Sequence, residues 1–224
     1  MICMFSLYKT SILHIRLRGA PCSLIAEPWS RQRQKSVPRT LSRGPLLITQ
    51  RRVVFLDRDG VINRCEVRGG KPYAPRRLED FRLLPGVGGA VRSLKDAGFL
   101  VIVVTNQPDI GNGLVPARVV EAMHDKLRRS VPVDDVRICP HRQDAKCACR
   151  KPRPGMLLEA AKYWRIDARR SFLVGDRWGD IIAGQALGCY TVFIDRGYAE
   201  PQQATPDGYA SSLPAAVRLI LSLT

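Results

Sequence analysis

The stretch Val53-Val54-Phe55-Leu56-Asp57-Arg58-Asp59-Gly60-Val61-Ile62-Asn63 decides how the rest of the chain is interpreted. Its short run of β-branched and aromatic residues predicts a buried parallel strand that ends at two acids. In open α/β sheets, the carboxyl ends of the strands line the ligand crevice. Residues two apart in an extended chain point the same way, so we expect Asp57 and Asp59 to face one site and Arg58 to face elsewhere. Gly60 permits a sharp turn directly after them.

Two acids at such a strand end favour a bound divalent cation. Two unpaired carboxylates about 4 Å apart repel by about 4 kcal/mol at an effective dielectric of about 20. A divalent cation removes this repulsion and attracts phosphate. Because Asp-x-Asp-Gly also occurs in ordinary loops, this interpretation depends on matching groups elsewhere in the chain.

The composition is that of an ordinary globular protein with an uneven charge. The 224 residues are 45% apolar and carry a net charge of +16. Residues 1–52 hold ten Lys or Arg residues and one acid, Glu27. The basic excess is therefore concentrated in the amino-terminal segment, and we expect no nucleic-acid partner. No apolar run reaches the roughly 18 residues of a membrane span, so no membrane partner is expected either.

The chain divides into two parts. Residues 1–51 alternate short apolar pieces with Arg, Ser and Pro and show no sustained period. This pattern fits a disordered extension, a basic nucleic-acid arm, an Arg-rich presequence, or a segment upstream of the true translation start. We expect a basic, disordered and nonessential extension, followed by one folded domain over residues 52–224. Seven cysteines, an odd number, without a clear secretory signal favour a reducing compartment and a metal site, so we expect a cytoplasmic protein. We also expect it to be a monomer.

Strands and helices are predicted to alternate through residues 52–224. After the first strand, residues 64–84 suit a surface loop. The strands that follow are predicted at 99–104, 136–139, 171–174 and 190–194, and helices at 86–98, 116–129, 155–164 and 213–221. A further helix is predicted after Asp180 and ends near residue 187. This order favours an α/β fold with a doubly wound, Rossmann-like parallel sheet and no large cap domain.

Polar groups follow three of the predicted strands. The first ends at Asp57 and Asp59, the next at Thr105, and a later one at Asp176, with Asp180 four residues further on. Lys151 lies between the last two strand ends in sequence. Their order resembles the haloacid dehalogenase-like phosphohydrolases, whose motifs are Asp-x-Asp-Gly, a strand-end Thr or Ser, a helix-opening Lys and a late Gly-Asp-x-x-x-Asp.

This resemblance implies a role for each group. Asp57 is the expected nucleophile that forms an aspartyl-phosphate, and Asp59 the acid that protonates the leaving alcohol and then activates water. Thr105 and Lys151 are expected to bind the transferred phosphoryl group. Mg²⁺ is expected to bind Asp57, the Asp59 backbone carbonyl and Asp176. Asp180 is expected to orient these groups.

A second metal site is predicted from cysteine spacing. The pairs Cys139-Pro140-His141 and Cys147-Ala148-Cys149 lie five residues apart. Thiolate and imidazole ligands in such short pairs suit tetrahedral zinc, and four protein ligands leave no open position. We therefore expect a structural Zn²⁺ bound by Cys139, His141, Cys147 and Cys149, which stiffens the loop.

Residues 139–149, called the zinc loop below, are followed by the motif Arg-Lys-Pro-x-Pro-Gly-Met. Together they resemble the heptose bisphosphate 7-phosphatases and the related histidinol-phosphate phosphatases. The resemblance implies hydrolysis of the 7-phosphate of D-glycero-D-manno-heptose 1,7-bisphosphate, a small phosphorylated sugar. The substrate contacts that it implies are Asn106, Gln107, Pro108, Arg150, Lys151 and Arg177. A guanidinium at position 150 suits a distal phosphate by bidentate pairing.

Some positions depart from the family, and other functions stay open. The family usually has Ser-Gly-Ile-x-Arg-Gly after Thr-Asn-Gln, whereas this chain has Pro108-Asp109-Ile110-Gly111-Asn112-Gly113. Arg177 replaces a frequent Lys, and the loop from Cys65 to Tyr73 is longer. The alternatives are a histidinol-phosphate phosphatase, a nucleic-acid 3′-phosphatase and a noncatalytic zinc-binding module.

Overall fold

The computed structural model describes residues 50–224, and the expected basic extension lies outside them except for its last two residues. The strands in chain order are β1 (Val53–Leu56), β2 (Glu66–Arg68), β3 (Lys71–Tyr73), β4 (Leu100–Asn106), β5 (Asp135–Cys139), β6 (Phe172–Gly175), β7 (Tyr190–Ile194) and β8 (Gly208–Ala210). The helices are α1 (Val87–Asp96), α2 (Pro108–Gly111), α3 (Ala117–Ser130), α4 (Gly155–Trp164), α5 (Trp178–Leu187) and α6 (Leu213–Ser222).

Six strands form one parallel sheet in the order β5-β4-β1-β6-β7-β8. β1 lies at its centre, where Val54 pairs with Val101 of β4 and with Phe172 of β6. The chain builds outward from β1 in both directions, so the order of the strands reverses there. Ligands of open α/β sheets bind at such a switch point, beside the carboxyl ends of the strands. The predicted doubly wound, Rossmann-like sheet is confirmed.

The alternation of side chains along the strands builds one apolar core on each face of the sheet. Val54 and Leu56 pack on one face with residues of α1, α3 and α6, including Val91, Met123 and Val217. Val53, Phe55, Ile102 and Val104 pack on the other face, against α4 and α5, with Leu157 and Ala183. Helices therefore cover both faces, which explains why the central strands are apolar throughout.

The segment 64–84, expected as an irregular surface loop, contains the antiparallel hairpin β2–β3 and a 3₁₀ helix at Leu78–Asp80. The hairpin turns at Gly69 and Gly70, whose φ values are +54° and +73°. Adjacent glycines at positive φ favour a tight two-residue hairpin turn. The strands are three residues long and largely exposed, so they lack the buried face that periodicity detects. Within residues 50–224, no larger insertion forms a cap domain over the sheet.

Membrane-spanning helices are also absent from the described part of the chain, since none of its helices is long and apolar enough to cross a bilayer.

Candidate active site

The turn after β1 brings two strand ends into contact. Asp57 continues the ladder by donating its backbone N–H to the Val174 carbonyl, at 2.9 Å. Gly60 has a φ of +84°, and a Cβ at this position would lie only 1.8 Å from Oδ2 of Asp176. Glycine is therefore required for the close approach as well as for the turn.

Lys151 is a buried cation at the centre of the site. Its Nζ lies 2.8 Å from Oδ1 of Asp57, 2.6 Å from Oδ1 of Asp180 and 2.7 Å from the Val104 carbonyl oxygen. Burial lowers the pKa of Lys151, but the charges and hydrogen bonds of Asp180 and Asp57 outweigh burial and leave the pKa above its ordinary value. Lys151 is therefore held as a cation beside the predicted nucleophile.

Asn106 positions the backbone of Lys151. Its side-chain Nδ2 donates to the Lys151 carbonyl at 3.0 Å, and its Oδ1 accepts from the Lys151 backbone N–H at 3.1 Å. Both polar ends of this amide are thus engaged within the protein. The end of β4 is joined in this way to the segment that carries the lysine.

Three carboxylates form a cluster that suits a divalent cation. Oxygen atoms of Asp57, Asp176 and Asp180 lie within 4.8 Å of one another. Oδ2 of Asp176 accepts a hydrogen bond from the Tyr198 hydroxyl at 2.7 Å, whereas its buried Oδ1 has no hydrogen-bond partner among the described residues. A buried, unpartnered carboxylate oxygen is costly unless a ligand satisfies it. Hard oxygen donors of this kind fit Mg²⁺.

Burial raises the pKa of two of these acids, Asp57 and Asp176. Desolvation raises the pKa of Asp57 to about 6, although the Lys151 charge opposes it, and the pKa of Asp176 lies well above its ordinary value, also mainly through burial. Asp180, which is predicted to orient the site, accepts from Lys151 Nζ and from the Arg177 backbone N–H. It therefore joins the cluster to the start of α5.

The side chain of Asp59 lies outside this cluster and is held by three residues. Arg58 donates to it from Nε and Nη2 over 3.0–3.3 Å, Asn63 Nδ2 donates to Oδ1 at 2.9 Å, and Gln107 Nε2 donates to Oδ2 at 2.7 Å. The expectation that Arg58 faces away from Asp59 is wrong. The Arg58 side chain is long enough to fold back on its neighbour. The alternation of side-chain directions in an extended chain therefore does not fix the position of its guanidinium.

Gln107 links the predicted acid to the predicted phosphoryl-binding hydroxyl. Its Nε2 also donates to Oγ1 of Thr105 at 2.9 Å, and its backbone N–H donates to the Cys139 carbonyl at 2.8 Å. Gln107 and Thr105 are both buried. Sequence reasoning treated Gln107 only as a substrate contact, whereas the structure gives it these internal bonds.

The remaining predicted substrate contacts are Pro108, Arg150 and Arg177. Pro108 begins α2, and Arg177 forms an ion pair with Glu200 at 2.6 Å. Nη1 of Arg150 is buried without a hydrogen-bond partner among residues 50–224. An unpaired buried guanidinium nitrogen is available to an anion.

The positions that depart from the family connect neighbouring loops. Asp109 accepts from Nε of Arg76 at 2.7 Å, and Asn112 Nδ2 donates to Oε1 of Gln143 at 3.2 Å. Gly111 packs against the zinc loop, where a Cβ would lie 2.7 Å from the Pro140 carbonyl oxygen. The helix α2 is thereby joined both to the segment after the hairpin and to the zinc loop.

The four predicted zinc ligands converge. Their sulfur atoms are separated by 3.3–3.6 Å, and Nδ1 of His141 lies 3.2 Å from the sulfur of Cys149 and 3.6 Å from that of Cys139. A tetrahedron with Zn–S bonds of about 2.3 Å has S···S edges of about 3.8 Å, so the cluster fits zinc with only slight expansion. The cysteines are free thiols.

Two groups near the site were missed by sequence reasoning. Tyr198, which contacts Asp176, lies in a loop after β7 and carries no motif. Its hydroxyl is also 3.0 Å from the thiol of Cys65. His124 contacts buried Arg58 from α3, with 3.1 Å between its Nε2 and Nη1 of the arginine. The sequence could have indicated His124 through its position on the apolar face of a predicted helix.

The chain is similar to known phosphatases in both sequence and structure. A family model described as HAD-hydrolase-like matches residues 148–216. The D-glycero-beta-D-manno-heptose-1,7-bisphosphate 7-phosphatase of Rhodopseudomonas palustris is 39% identical over 151 residues, which cover 62% of this chain and 81% of that protein. The D-glycero-alpha-D-manno-heptose-1,7-bisphosphate 7-phosphatase of Photorhabdus laumondii is 35% identical, over 68% and 88% of the two chains.

A solved structure extends the similarity to the fold. The D,D-heptose 1,7-bisphosphate phosphatase from B. bronchiseptica, complexed with magnesium and phosphate, superposes with a TM-score of 0.67 at 28% identity, over 77% of this chain and 99% of that one. Sequence, fold and the order of the strand-end acids agree. The chain therefore belongs to the heptose-1,7-bisphosphate 7-phosphatases, within the haloacid dehalogenase-like hydrolases.

Proposed function

We propose that the protein hydrolyses the 7-phosphate of D-glycero-D-manno-heptose 1,7-bisphosphate through an aspartyl-phosphate intermediate. The observation that carries this proposal is the strand-end Asp57 beside buried Lys151 and a partly unsatisfied acidic cluster. A decayed site in a noncatalytic zinc-binding module would not be expected to keep all of these groups. Membership of the family supports the heptose substrate.

In the first step, a carboxylate oxygen of Asp57 forms a bond to phosphorus while the bond from phosphorus to the sugar oxygen breaks. Asp59 gives its proton to the leaving alcohol. The Lys151 ammonium group and the Thr105 hydroxyl neutralise charge on the transferred phosphoryl oxygens. In the second step, Asp59 takes a proton from water, whose oxygen bonds to phosphorus as the acyl-phosphate bond breaks and Asp57 is regenerated.

The residues proposed to hold Mg²⁺ are Asp57, Asp176 and the Asp59 backbone carbonyl, with Asp180 adjoining them. A bound Mg²⁺ supplies positive charge against the phosphoryl oxygens and offsets the mutual repulsion of the acids. Tyr198 orients Asp176 by binding Oδ2, which leaves Oδ1 free to act as a ligand.

We propose that Arg150 and Arg177 bind the distal phosphate, and the unpartnered Nη1 of Arg150 supports this role for Arg150. The proposed contacts at Asn106, Gln107 and Pro108 act chiefly by shaping the site, since both amides are already engaged inside the protein. We further propose that the enzyme is monomeric and cytoplasmic. The free thiols among residues 50–224 support a reducing compartment.

A panel of phosphate esters tests the function. Phosphate release is measured with both anomers of the heptose bisphosphate, histidinol phosphate and a 3′-phosphorylated DNA, each with and without magnesium. We expect magnesium-dependent release from the heptose bisphosphate at the highest kcat/KM. Faster release from histidinol phosphate would overturn the substrate, and salt-sensitive release from DNA would favour a nucleic-acid 3′-phosphatase.

Magnesium is expected to stabilise the protein more at neutral than at acidic pH. The unfolded chain ionises its aspartates near pH 3.8, but in the folded metal-free protein burial raises the pKa of Asp57 to about 6 and that of Asp176 also upward. Between these values the unfolded state has released protons that the folded state retains, so the stability of the metal-free protein falls as pH rises. Magnesium binding needs the ionised acids.

This expectation is checked by thermal unfolding with and without magnesium. The increase in Tm caused by magnesium should be larger at about pH 7.5 than at about pH 5. An equal increase at both values would show that these acids do not bind the ion.

A further inference from the structure

Arg58 is a charged residue buried in the core beside the predicted acid. Its side chain is fully buried, and the guanidinium lies over the ring of Phe81 with 5.6 Å between Cζ and the ring centroid. Burial of a guanidinium is costly unless its charge and its donors are satisfied. Here both needs are met by Asp59 on one side and His124 on the other.

The bond to His124 determines how the imidazole is protonated. A guanidinium has only donors, so Nε2 of His124 must accept the bond from Arg58 Nη1. The ring is therefore neutral, with its proton on Nδ1, which faces Oε2 of Glu121 at 3.8 Å. Glu121 is in turn paired with Arg128 at 2.8 Å. The chain of contacts runs from the surface of α3 to Asp59.

The contacts of Asp59 restrict its carboxylate to one orientation. Nε and Nη2 of Arg58 both approach its two oxygens, as a planar fork does. Asn63 donates to one oxygen, and Gln107 donates to the other. Because Gln107 also binds Thr105, the orientation of Asp59 is tied to the proposed phosphoryl-binding hydroxyl.

We propose that Arg58 and His124 are positioning residues for Asp59. His124 acts as a neutral acceptor that orients the guanidinium, and the guanidinium aims the carboxylate for both of its proton transfers. This inference rests on the proposed function, because it assumes that Asp59 is the acid and base. Neither residue touches the substrate in this scheme.

The test compares two leaving groups in variants of His124. A sugar alkoxide needs a proton to leave, whereas p-nitrophenolate does not. In His124→Leu, we expect kcat for the heptose bisphosphate to fall about 10- to 100-fold, because a positioned acid contributes roughly 10²- to 10⁴-fold. With p-nitrophenyl phosphate, formation of phospho-Asp57 stays fast but its hydrolysis slows, so a burst of nitrophenolate appears. KM for p-nitrophenyl phosphate should fall together with kcat, because the phospho-enzyme accumulates, and the magnesium requirement should not change.

His124→Gln is the conservative variant, since its amide oxygen can replace the Nε2 acceptor, and we expect it to restore kcat to within about threefold. Lys126→Met is the matched control. This lysine lies on the same helix, and its Nζ donates to the Phe81 carbonyl. Among the described residues, it forms no hydrogen bond with Arg58. It should show neither the loss of kcat nor the burst.

The outcomes separate this inference from the proposed function. No phosphate release by the wild-type protein would overturn the function itself. If the wild type is active and His124→Leu has the same kcat, the positioning role would be overturned. Equal losses of kcat for both substrates without a burst would overturn it as well. If His124→Leu does not fold, Arg58→Lys is tested instead. This variant keeps the positive charge but removes the paired Nε and Nη2 hydrogen bonds to Asp59. Absence of a burst in that variant would also overturn the inference.

Discussion

Asp57→Asn is expected to abolish phosphate release, with kcat at least about 10⁴-fold lower, while the protein keeps its fold. An amide oxygen cannot replace a carboxylate as the nucleophile, and removal of a nucleophile commonly costs more than this. The variant keeps the shape of the side chain, and Lys151 retains Asp180 and the Val104 carbonyl as partners. The measurements are single-turnover phosphate release and thermal unfolding.

Stability gives this prediction a second measurement. In the metal-free protein, burial raises the pKa of Asp57 to about 6, so the ionised carboxylate at neutral pH is unfavourable. We therefore expect the metal-free Tm of Asp57→Asn to be no lower than that of the wild type.

Asp134→Asn serves as the matched control for Asp57→Asn. Asp134 is also paired with a lysine, Lys95 at 2.5 Å, but it binds the backbone of Val101 near the opposite, amino-terminal edge of the sheet. This variant should retain its activity. Catalysis by Asp57→Asn above about 1% of wild type would refute the nucleophile assignment.

Cys149→Ser is expected to remove the zinc and with it most of the activity. Metal analysis should find about one zinc per wild-type chain and almost none in the variant. Structural zinc contributes roughly 10–16 kcal/mol of binding free energy in small peptides at pH 7, and each kcal/mol shifts Tm by about 2–4 °C in a domain of this size. We therefore expect Tm to fall by at least about 10 °C.

The loss of activity follows from the position of the zinc loop. Lys151 lies two residues after Cys149, and the Cys139 carbonyl accepts from the backbone N–H of Gln107. Loosening the loop therefore displaces the cation beside Asp57 and the amide that binds Thr105. We expect kcat to fall at least about 100-fold, because small misplacements of catalytic groups cost about this much.

Cys189→Ala is the control for the zinc prediction, since Cys189 is a buried free thiol outside the cluster. It should retain its zinc and its activity. Wild-type protein without zinc, or Cys149→Ser with full zinc content, would disprove the structural metal site.

Much of the fold was predictable because the central strands are buried on both faces. Phe99 to Val104 is a continuous apolar run, and Phe172 to Val174 is a shorter one, so both strands could be located without a structure. The hairpin β2–β3 could not be located in the same way, because its strands are short and largely exposed. Its signal was the Gly69-Gly70 pair, which favours a tight turn.

The site shows the same division between local and long-range information. The predicted zinc ligands lie within eleven residues, so their spacing alone predicted the Cys/His cluster that the structure forms. Tyr198 and His124 lie 22 and 66 residues from their partners Asp176 and Arg58. No spacing rule connects residues that are brought together only by the packing of distant elements.

The sequence by itself determined the class of sheet, the residues at its carboxyl edge and the zinc loop. These features depend on local periodicity and short ligand spacing, which are properties of contiguous segments. Only the tertiary structure decided which oxygen of Asp176 remains unpaired, and that Arg58 turns back onto Asp59. Those choices depend on burial and on the donors supplied by distant segments, because a buried polar atom takes whichever partner the folded chain brings within reach.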